Sequence, residues 1–429
     1  AGSFSVPYNI VIADWLEKWL SWSGDREYPK DPKSVELMGG APLWILLVWG
    51  GCTCVGIMKV ILRFDKFPAF VQEIRAEHVD PNLSFKVCVT CMASLLSGAA
   101  LGPEAGLASG GAAVGTIIAE QISKLGPGFA RKEEERKRLF VLGGIAAAFG
   151  SIMPAPWVAL LICMECAFQN RDEGKMMAVW GRRTLFLLAI CSTVAFVVKY
   201  AIEPVKVLPP FGGLLDLEYE NTMPLKAPLL GIVAAFATLV YSIIGGIVKV
   251  LFTKLASIIE SKLGKQVRIV MLASLAGLVT GVLGFLVPLS LTDGKAAMGP
   301  TAKHGPNLSM WNLLAIAISK TVSFSVASHG GLVGGPFFPV LYIGMVVGEM
   351  VSRVPGMAST PELARNFCAP VVMVSMPAAV FPVPFTMVAF PVSILKLGPL
   401  WCVPILVGVT TSYTLLVGTG FIKKLAGGK

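Results

Sequence analysis

Long apolar runs recur along this chain and set the first limit on its fold. Five of them, at residues 41–63, 184–203, 227–253, 267–289 and 399–422, are long enough to cross a bilayer, which takes about 20 helical residues. The chain is 55% hydrophobic and 14% charged, far from the roughly 25% charged residues of a soluble domain. The sequence therefore predicts an all-α, polytopic integral membrane protein that lies in a lipid bilayer.

Shorter apolar runs fill the gaps between the long ones. They lie at residues 107–123, 139–150, 157–168 and 337–352. Because these runs are short for a full span, we expect half-length or re-entrant helices there.

Two of the short runs begin at glycine-rich turns. The first turn runs from Gly98 to Gly106 and the second from Gly330 to Pro339. Irregular backbone is tolerated in a bilayer only where protein buries it or where it lines a cavity. A helix that begins there directs unpaired N–H groups and its positive dipole end at the occupant of that cavity, which favours an anion. Glu104 is the one acidic side chain inside either turn.

The chain also contains an internal repeat. Gly102 recurs as Gly335, 233 positions later, and the broken apolar pair around Ala148 recurs around Val380 with an offset of 232. Repeats with interrupted helices are typical of secondary transporters, whose site lies between the two halves.

The repeat predicts three parts of the chain. Ala41-Pro-Leu and Ala227-Pro-Leu both open long runs, so we expect a first half at 41–226 and a second half at 227–429. Residues 1–40 carry a stripe of tryptophans, Trp15, Trp19 and Trp22, which indicates an interfacial amphipathic segment.

Charge and residue types exclude several other functions. The net charge of +10 comes from basic loops between apolar runs, as the positive-inside rule produces, and predicts no nucleic-acid partner. The sequence has neither zinc-type His/Cys spacing nor a phosphate-binding loop, and no cofactor or metal is expected. His78, His304 and His329 form no Ser/His/Asp grouping, which disfavours an enzyme. The pairs Cys88/Cys91 and Cys163/Cys166 fit buried thiols.

The start at Ala1 without a methionine favours a processed precursor, and hence an organelle membrane such as that of the chloroplast. A trimmed chain would look the same.

Three motifs in this order resemble the CLC family of chloride channels and chloride/proton antiporters. They are Gly102-Pro-Glu-Ala-Gly106, a broken pair ending in Ile162-Cys-Met-Glu-Cys166, and Gly335-Pro-Phe-Phe-Pro339. The resemblance covers residues 41–422 and implies the inverted-repeat CLC fold with broken and re-entrant helices. It also implies a homodimer with one pathway per subunit for chloride or a similar small anion.

The resemblance assigns roles to individual residues. Glu104 falls on the gating glutamate, which competes with the anion and swings away when it is protonated. The backbone N–H groups of Ala105, Phe337 and Phe338 would bind the anion, within motifs fixed by Gly102, Gly106, Gly335 and Pro339.

Glu165 has two interpretations. It aligns with the inner glutamate that relays a proton in the antiporters, and ionisable side chains inside apolar helices are usually functional. Alternatively, it caps the last turn of its own helix at the interface, beside Arg171.

Departures from the family pattern leave a second function open. The serine-bearing turn expected near Lys66–Glu73 has neither serine nor glycine, and Pro336 has no N–H where one would help to bind the anion. The late tyrosine of the inner gate is not evident, because Tyr413 comes too early. The alternative is therefore a transport-inactive, CLC-like structural subunit of a larger membrane complex.

Overall fold

The computed structural model describes residues 35–67, 79–124, 133–153, 155–168, 182–202, 219–381, 383–395 and 397–419. The predicted tryptophan stripe of residues 1–40 and Arg171 lie outside these ranges, as does most of the Lys66–Glu73 segment. Within them the regular structure is helical, and the one isolated bridge pairs Gly102 with Gly335. The described part of the chain therefore has the predicted all-α fold.

Six helices lie in the described ranges before residue 203. They are α1 (Leu43–Ile61), α2 (Pro81–Leu96), α3 (Glu104–Ser123), α4 (Glu133–Ile152), α5 (Pro156–Phe168) and α6 (Arg182–Ile202).

Eight further helices lie in the described ranges after residue 219. They are α7 (Met223–Leu263), α8 (Lys265–Leu286), α9 (Lys295–His304), α10 (Met310–His329), α11 (Phe337–Val351), α12 (Pro361–Val380), α13 (Pro384–Ile394) and α14 (Cys402–Tyr413). Short 3₁₀ turns precede α9, α10 and α14, and a π-helical turn follows α14.

Seven of the described helical segments are long and apolar enough to cross a membrane. The five predicted runs are confirmed, as α1, α6, α7, α8 and the segment Pro399–Gly418 that contains α14. The sequence analysis missed α10 and α12, whose apolar character is interrupted by polar residues such as Lys320 and Arg365. Those side chains are buried inside the protein, so a count of apolar residues underestimates both helices.

The short runs form helices as predicted, but two of them are longer than expected. Helices α5 and α11 have 13 and 15 residues, whereas α3 and α4 have 20 each. Helix α4 begins in the charged segment at Glu133, where hydropathy gives no sign of a membrane helix. The predicted break after α4 is confirmed, because α5 begins only at Pro156.

The repeat is visible in the backbone. Gly98 and Gly331, 233 positions apart, both have left-handed φ angles, of 81° and 84°. The same offset relates Gly102 to Gly335, which exchange two hydrogen bonds of 2.7 Å. A mutual bond between equivalent residues is what an approximate two-fold axis between the halves produces.

The element order agrees with this offset in the helix next to each turn. Helix α2 precedes α3 and α10 precedes α11, so α2 matches α10; before α10 comes α9, and the predicted match between the runs that begin at Ala41 and Ala227 stays a prediction. Helices α1 and α8 pack together reciprocally, since a Cβ on Gly56 would meet Ala273 and one on Gly277 would meet Cys52.

Glycines bring the repeated helices into backbone contact. A Cβ on Gly111 would collide with the carbonyl of Gly144, and a Cβ on Gly144 would collide with that of Gly111, where α3 crosses α4. In the second half, Gly344 and Gly348 on α11 make the same approach to α12. Both lie 233 positions after glycines of α3, and close approach through small residues is the usual packing of membrane helices.

This packing predicts opposite effects for two glycine-to-alanine changes. Gly144→Ala should lower the free energy of unfolding by about 1–3 kcal/mol, because α3 and α4 must move apart. Gly246→Ala in α7 is the control, since a Cβ there meets nothing within 4 Å, and it should be neutral or stabilising by up to about 1 kcal/mol. Equilibrium unfolding of both variants in one detergent measures the difference. Equal effects would contradict the helix contact.

Candidate functional site

The two glycine-rich turns meet at the candidate site. The bridge between Gly102 and Gly335 places the N-terminus of α3 beside that of α11. A Cβ on either glycine would collide with the side chain of Glu104 in its present position. The two glycines therefore leave the space that this carboxylate occupies.

The two helices begin in the same way. Pro103 precedes α3 and Pro336 precedes α11, each with helical backbone angles. The carbonyl of each proline accepts the first intrahelical bond, from Leu107 and Val340 respectively, both at 3.0 Å. The N–H groups before those residues have no partner within the helix, so both helices present donors at the point where they converge.

Glu104 occupies that point. It is the first residue of α3, and its side chain is only 2% exposed. Its Oε1 accepts a hydrogen bond of 3.1 Å from the N–H of Phe338, the second residue of α11. Its Oε2 is buried and has no partner among the described residues. A carboxylate from one half thus lies where the helix N-terminus of the other half would bind an anion.

The predicted amide donors are brought to the same place. Ala105 lies in the first turn of α3, and Phe337 and Phe338 begin α11; all three residues are buried. Gly106 packs against Cys91, and its carbonyl accepts a hydrogen bond of 3.0 Å from the Cys88 thiol. Pro339 is buried at the third position of α11.

Phenyl rings fill the region next to these donors. The ring of Phe337 contacts Phe338, Phe381 and Phe390, with centroid distances of 5.4, 6.2 and 5.7 Å. All four side chains are buried. Since Pro336 adds no N–H group, this side of the site is apolar.

Glu165 caps a helix of the other half of the protein. From the end of α5, its carboxylate accepts hydrogen bonds from the N–H groups of Phe385 at 2.8 Å and Thr386 at 2.7 Å. The Thr386 hydroxyl donates a third bond. The cap lies at the N-terminus of α13, not at the last turn of its own helix as one interpretation expected.

The two glutamates follow one design. Each belongs to the first half and bonds to the N-terminus of a second-half helix, Glu104 at α11 and Glu165 at α13. The rings connect these places, because Phe337 begins α11 and Phe390 lies on α13. The ring contact between Phe337 and Phe390 thus joins the two helices whose N-termini bind the carboxylates.

Sequence reasoning did not single out two buried lysines near the turns. Lys59 on α1 and Lys320 on α10 are 2% and 0% exposed. Lys59 donates to the carbonyl of Gly331 in the second turn, at 2.8 Å. Lys320 donates to the carbonyls of Ser290, Leu291 and Thr292. A charged residue inside an apolar run was the available signal.

Comparison with known proteins gives a consistent result. The family model described as "Voltage gated chloride channel" matches residues 52–416. The H(+)/Cl(-) exchange transporter ClcA of Vibrio parahaemolyticus serotype O3:K6 is 23% identical over 262 residues, which are 60% of this chain and 50% of the transporter. The matched stretch thus spans about half the length of that relative.

Solved structures show the same fold. A slow cyanobacterial Cl-/H+ antiporter superposes with a TM-score of 0.74 at 15% identity, covering 98% of this chain and 92% of its own. A eukaryotic CLC transporter gives a TM-score of 0.65 at 15% identity, and the match covers 97% of this chain and 69% of that transporter. A CLC-type fluoride/proton antiporter gives a TM-score of 0.57 at 16% identity, and the match covers 95% of this chain and 91% of that antiporter.

The cap on α13 predicts a measurable coupling between Glu165 and Thr386. Thr386→Val removes the hydroxyl donor and keeps the N–H, so it should destabilise the protein by about 1–2 kcal/mol. In a Glu165→Gln background the same change should cost less, because the charged acceptor is gone. A double-mutant cycle on equilibrium unfolding measures the coupling, with Thr386→Ser as the control that retains it. Additive effects would show that the cap does not stabilise the fold.

Proposed function

The chain belongs to the voltage gated chloride channel family, and we propose on that premise that it carries small anions, chloride foremost, across a membrane under control of Glu104. The observation that carries the proposal is a hydrogen bond, in which the buried Glu104 carboxylate accepts from the N–H of Phe338. A carboxylate and a halide are alternative ligands for one set of amide donors. Glu104 therefore marks an anion position and blocks it at the same time.

Protonation would release the block. A neutral Glu104 no longer provides the negative charge that these donors and the two helix dipoles favour. When its side chain leaves, the N–H groups of Ala105, Phe337 and Phe338 become available to an anion. Oε2 supports this role, because a carboxylate oxygen buried without a partner among the described residues is the easiest part of the site to protonate or displace.

Glu165 is proposed as the proton relay of an exchange mechanism. It is half-buried at the N-terminus of α13, and the Thr386 hydroxyl beside it can donate or accept a proton. Relay from Glu165 to Glu104 requires a path past Phe337 and Phe390, which water entering between the rings would provide. Without such entry the protein would carry anions uncoupled from protons.

A second candidate function is supported by the apolar side of the site. Pro336 removes one donor, and the rings of Phe337, Phe381 and Phe390 pack against one another beside it. A chain that has lost this part of a pathway could serve as a transport-inactive structural subunit of a larger membrane complex. The Glu104 arrangement disfavours this candidate, because a purely structural copy does not need a buried carboxylate there.

The assembly is part of the proposal as well. The resemblance implies a homodimer in which each copy has its own pathway. Localisation to an organelle membrane stays a prediction.

A liposome assay tests anion transport directly. With purified protein in chloride-loaded liposomes, chloride efflux and proton movement should both be measurable. Glu104→Gln, which cannot ionise, should change the efflux rate at least tenfold, a barrier change of about 1.4 kcal/mol, and abolish its pH dependence. Glu120→Gln on the same helix is the control and should behave as the unchanged protein.

The same assay separates the two candidate functions. No efflux under any gradient, together with stable co-purification of other subunits, would overturn transport and favour the structural subunit.

Proton coupling has a separate test. Glu165→Gln should stop proton movement and leave anion efflux within about threefold of the unchanged protein, because the relay and the anion site are different groups. Glu120→Gln on α3 is again the control and should retain proton movement. Proton movement that persists in Glu165→Gln would exclude Glu165 as the relay.

A further inference from the structure

The two glycine-rich turns are held at equivalent points. Each begins with a left-handed glycine, Gly98 or Gly331, and the carbonyl of each accepts a hydrogen bond from another part of the chain. Gly98 accepts from the N–H of Thr292 at 3.2 Å, and Gly331 accepts from the ammonium group of Lys59 at 2.8 Å. The bridge that positions Glu104 lies four residues further along each turn.

Lys59 fixes the second turn. Its ammonium also donates to the carbonyl of Asp65 at 2.9 Å and lies over the rings of Phe64 and Phe67, with centroid distances of 5.5 and 6.0 Å. Gly331 lies two residues after the end of α10, where the helix dipole favours a positive charge. One buried cation therefore joins α1, the 64–67 segment and the second turn.

Lys320 fixes the first turn through an intermediate segment. Its ammonium donates to three successive carbonyls, those of Ser290 at 3.2 Å, Leu291 at 2.8 Å and Thr292 at 2.5 Å. The ring of Tyr342 lies 5.7 Å away. Three carbonyls use all three donors of an ammonium group. The ammonium group of Lys320 therefore holds the 290–292 segment in place, as a bound cation would.

Thr292 shows that this segment is constrained. Its φ is 61°, a conformation that costs a β-branched residue about 1–3 kcal/mol and persists only where the surroundings impose it. In this conformation its carbonyl accepts from Lys320 while its N–H donates to Gly98. Lys320 thereby acts on the first turn through one strained residue.

We propose that Lys59 and Lys320 are positioning residues for the Glu104 site, each fixing one of the two turns between which the Glu104 carboxylate meets the Phe338 N–H. Burying an ammonium group costs several kcal/mol, and methionine would fill the same space without that cost. Both lysines instead donate hydrogen bonds to backbone carbonyls in or beside the turns. The proposal deepens the transport function proposed above, but its first test does not depend on transport.

Amide hydrogen exchange tests the positions of the turns. In lipid nanodiscs, Lys320→Met should speed exchange in residues 98–103 at least tenfold, and Lys59→Met should do so in residues 331–338, because each change frees one turn. Lys226→Met is the matched control: Lys226 also donates to a backbone carbonyl, that of Met357 at 3.1 Å, but at the start of α7. It should change exchange in both turns less than twofold.

Glutamine variants keep the test decisive if a methionine variant does not fold. Lys320→Gln and Lys59→Gln retain some donor capacity without the charge, so they should give smaller changes in the same turns. Exchange that is unchanged in both turns, or that rises uniformly along the chain, would overturn the proposal, since uniform change indicates general destabilisation only.

Chloride efflux from liposomes gives a second readout. Each lysine-to-methionine change should alter efflux at least tenfold when Glu104 is present and less than threefold in a Glu104→Ala background, because the lysines act through the position of Glu104. Equal effects in both backgrounds would contradict the proposal. If the unchanged protein shows no efflux, the transport function fails and the exchange experiment alone decides the role of the lysines.

Discussion

Two hydrogen bonds between Gly102 and Gly335 hold the centre of this protein together. They join the two glycine-rich turns that lead directly into α3 and α11, and the absence of a Cβ on either glycine leaves space for the Glu104 carboxylate. In a bilayer these backbone groups have no water to bond with, so each turn must satisfy the other. The convergence of α3 and α11 follows from this mutual bonding, as does the contact between Glu104 and Phe338.

The offset between the two halves could be predicted from the sequence at positions where the backbone requires glycine. The offset of 233 holds from the left-handed glycines through the bridge to the glycines that pack α3 and α11, because each of these positions excludes a side chain. The predicted match of Ala41 with Ala227 stays a prediction, since it rests only on the start of two apolar runs. Many apolar helices begin in the same way, so these positions carry no comparable constraint.

The candidate site could be predicted only within each turn. Glu104 and the amide groups near it were found because helix N-termini and glycine-rich turns have local sequence signals. The partners of Glu165 lie 220 and 221 positions away on α13, and no local pattern relates an acidic residue to a helix start at that distance. The lysines were missed for a related reason. Lys59 and Lys320 stand in apolar segments, and only the fold shows that backbone carbonyls surround them.

The scarcity of donors at the site does not by itself decide whether anions pass. Pro103 and Pro336 lack N–H groups, and Leu107 and Val340 already bond within their helices, so the ligands must come from the few N–H groups between them. Each lost donor weakens an anion site by about 1–3 kcal/mol. A conducting site must also release its ion, however, so moderate binding is compatible with passage. The aromatic cluster behind Phe337 is the stronger constraint, because an anion that leaves the amide groups there meets buried, packed phenyl rings. Passage therefore depends on whether these rings separate enough to admit water.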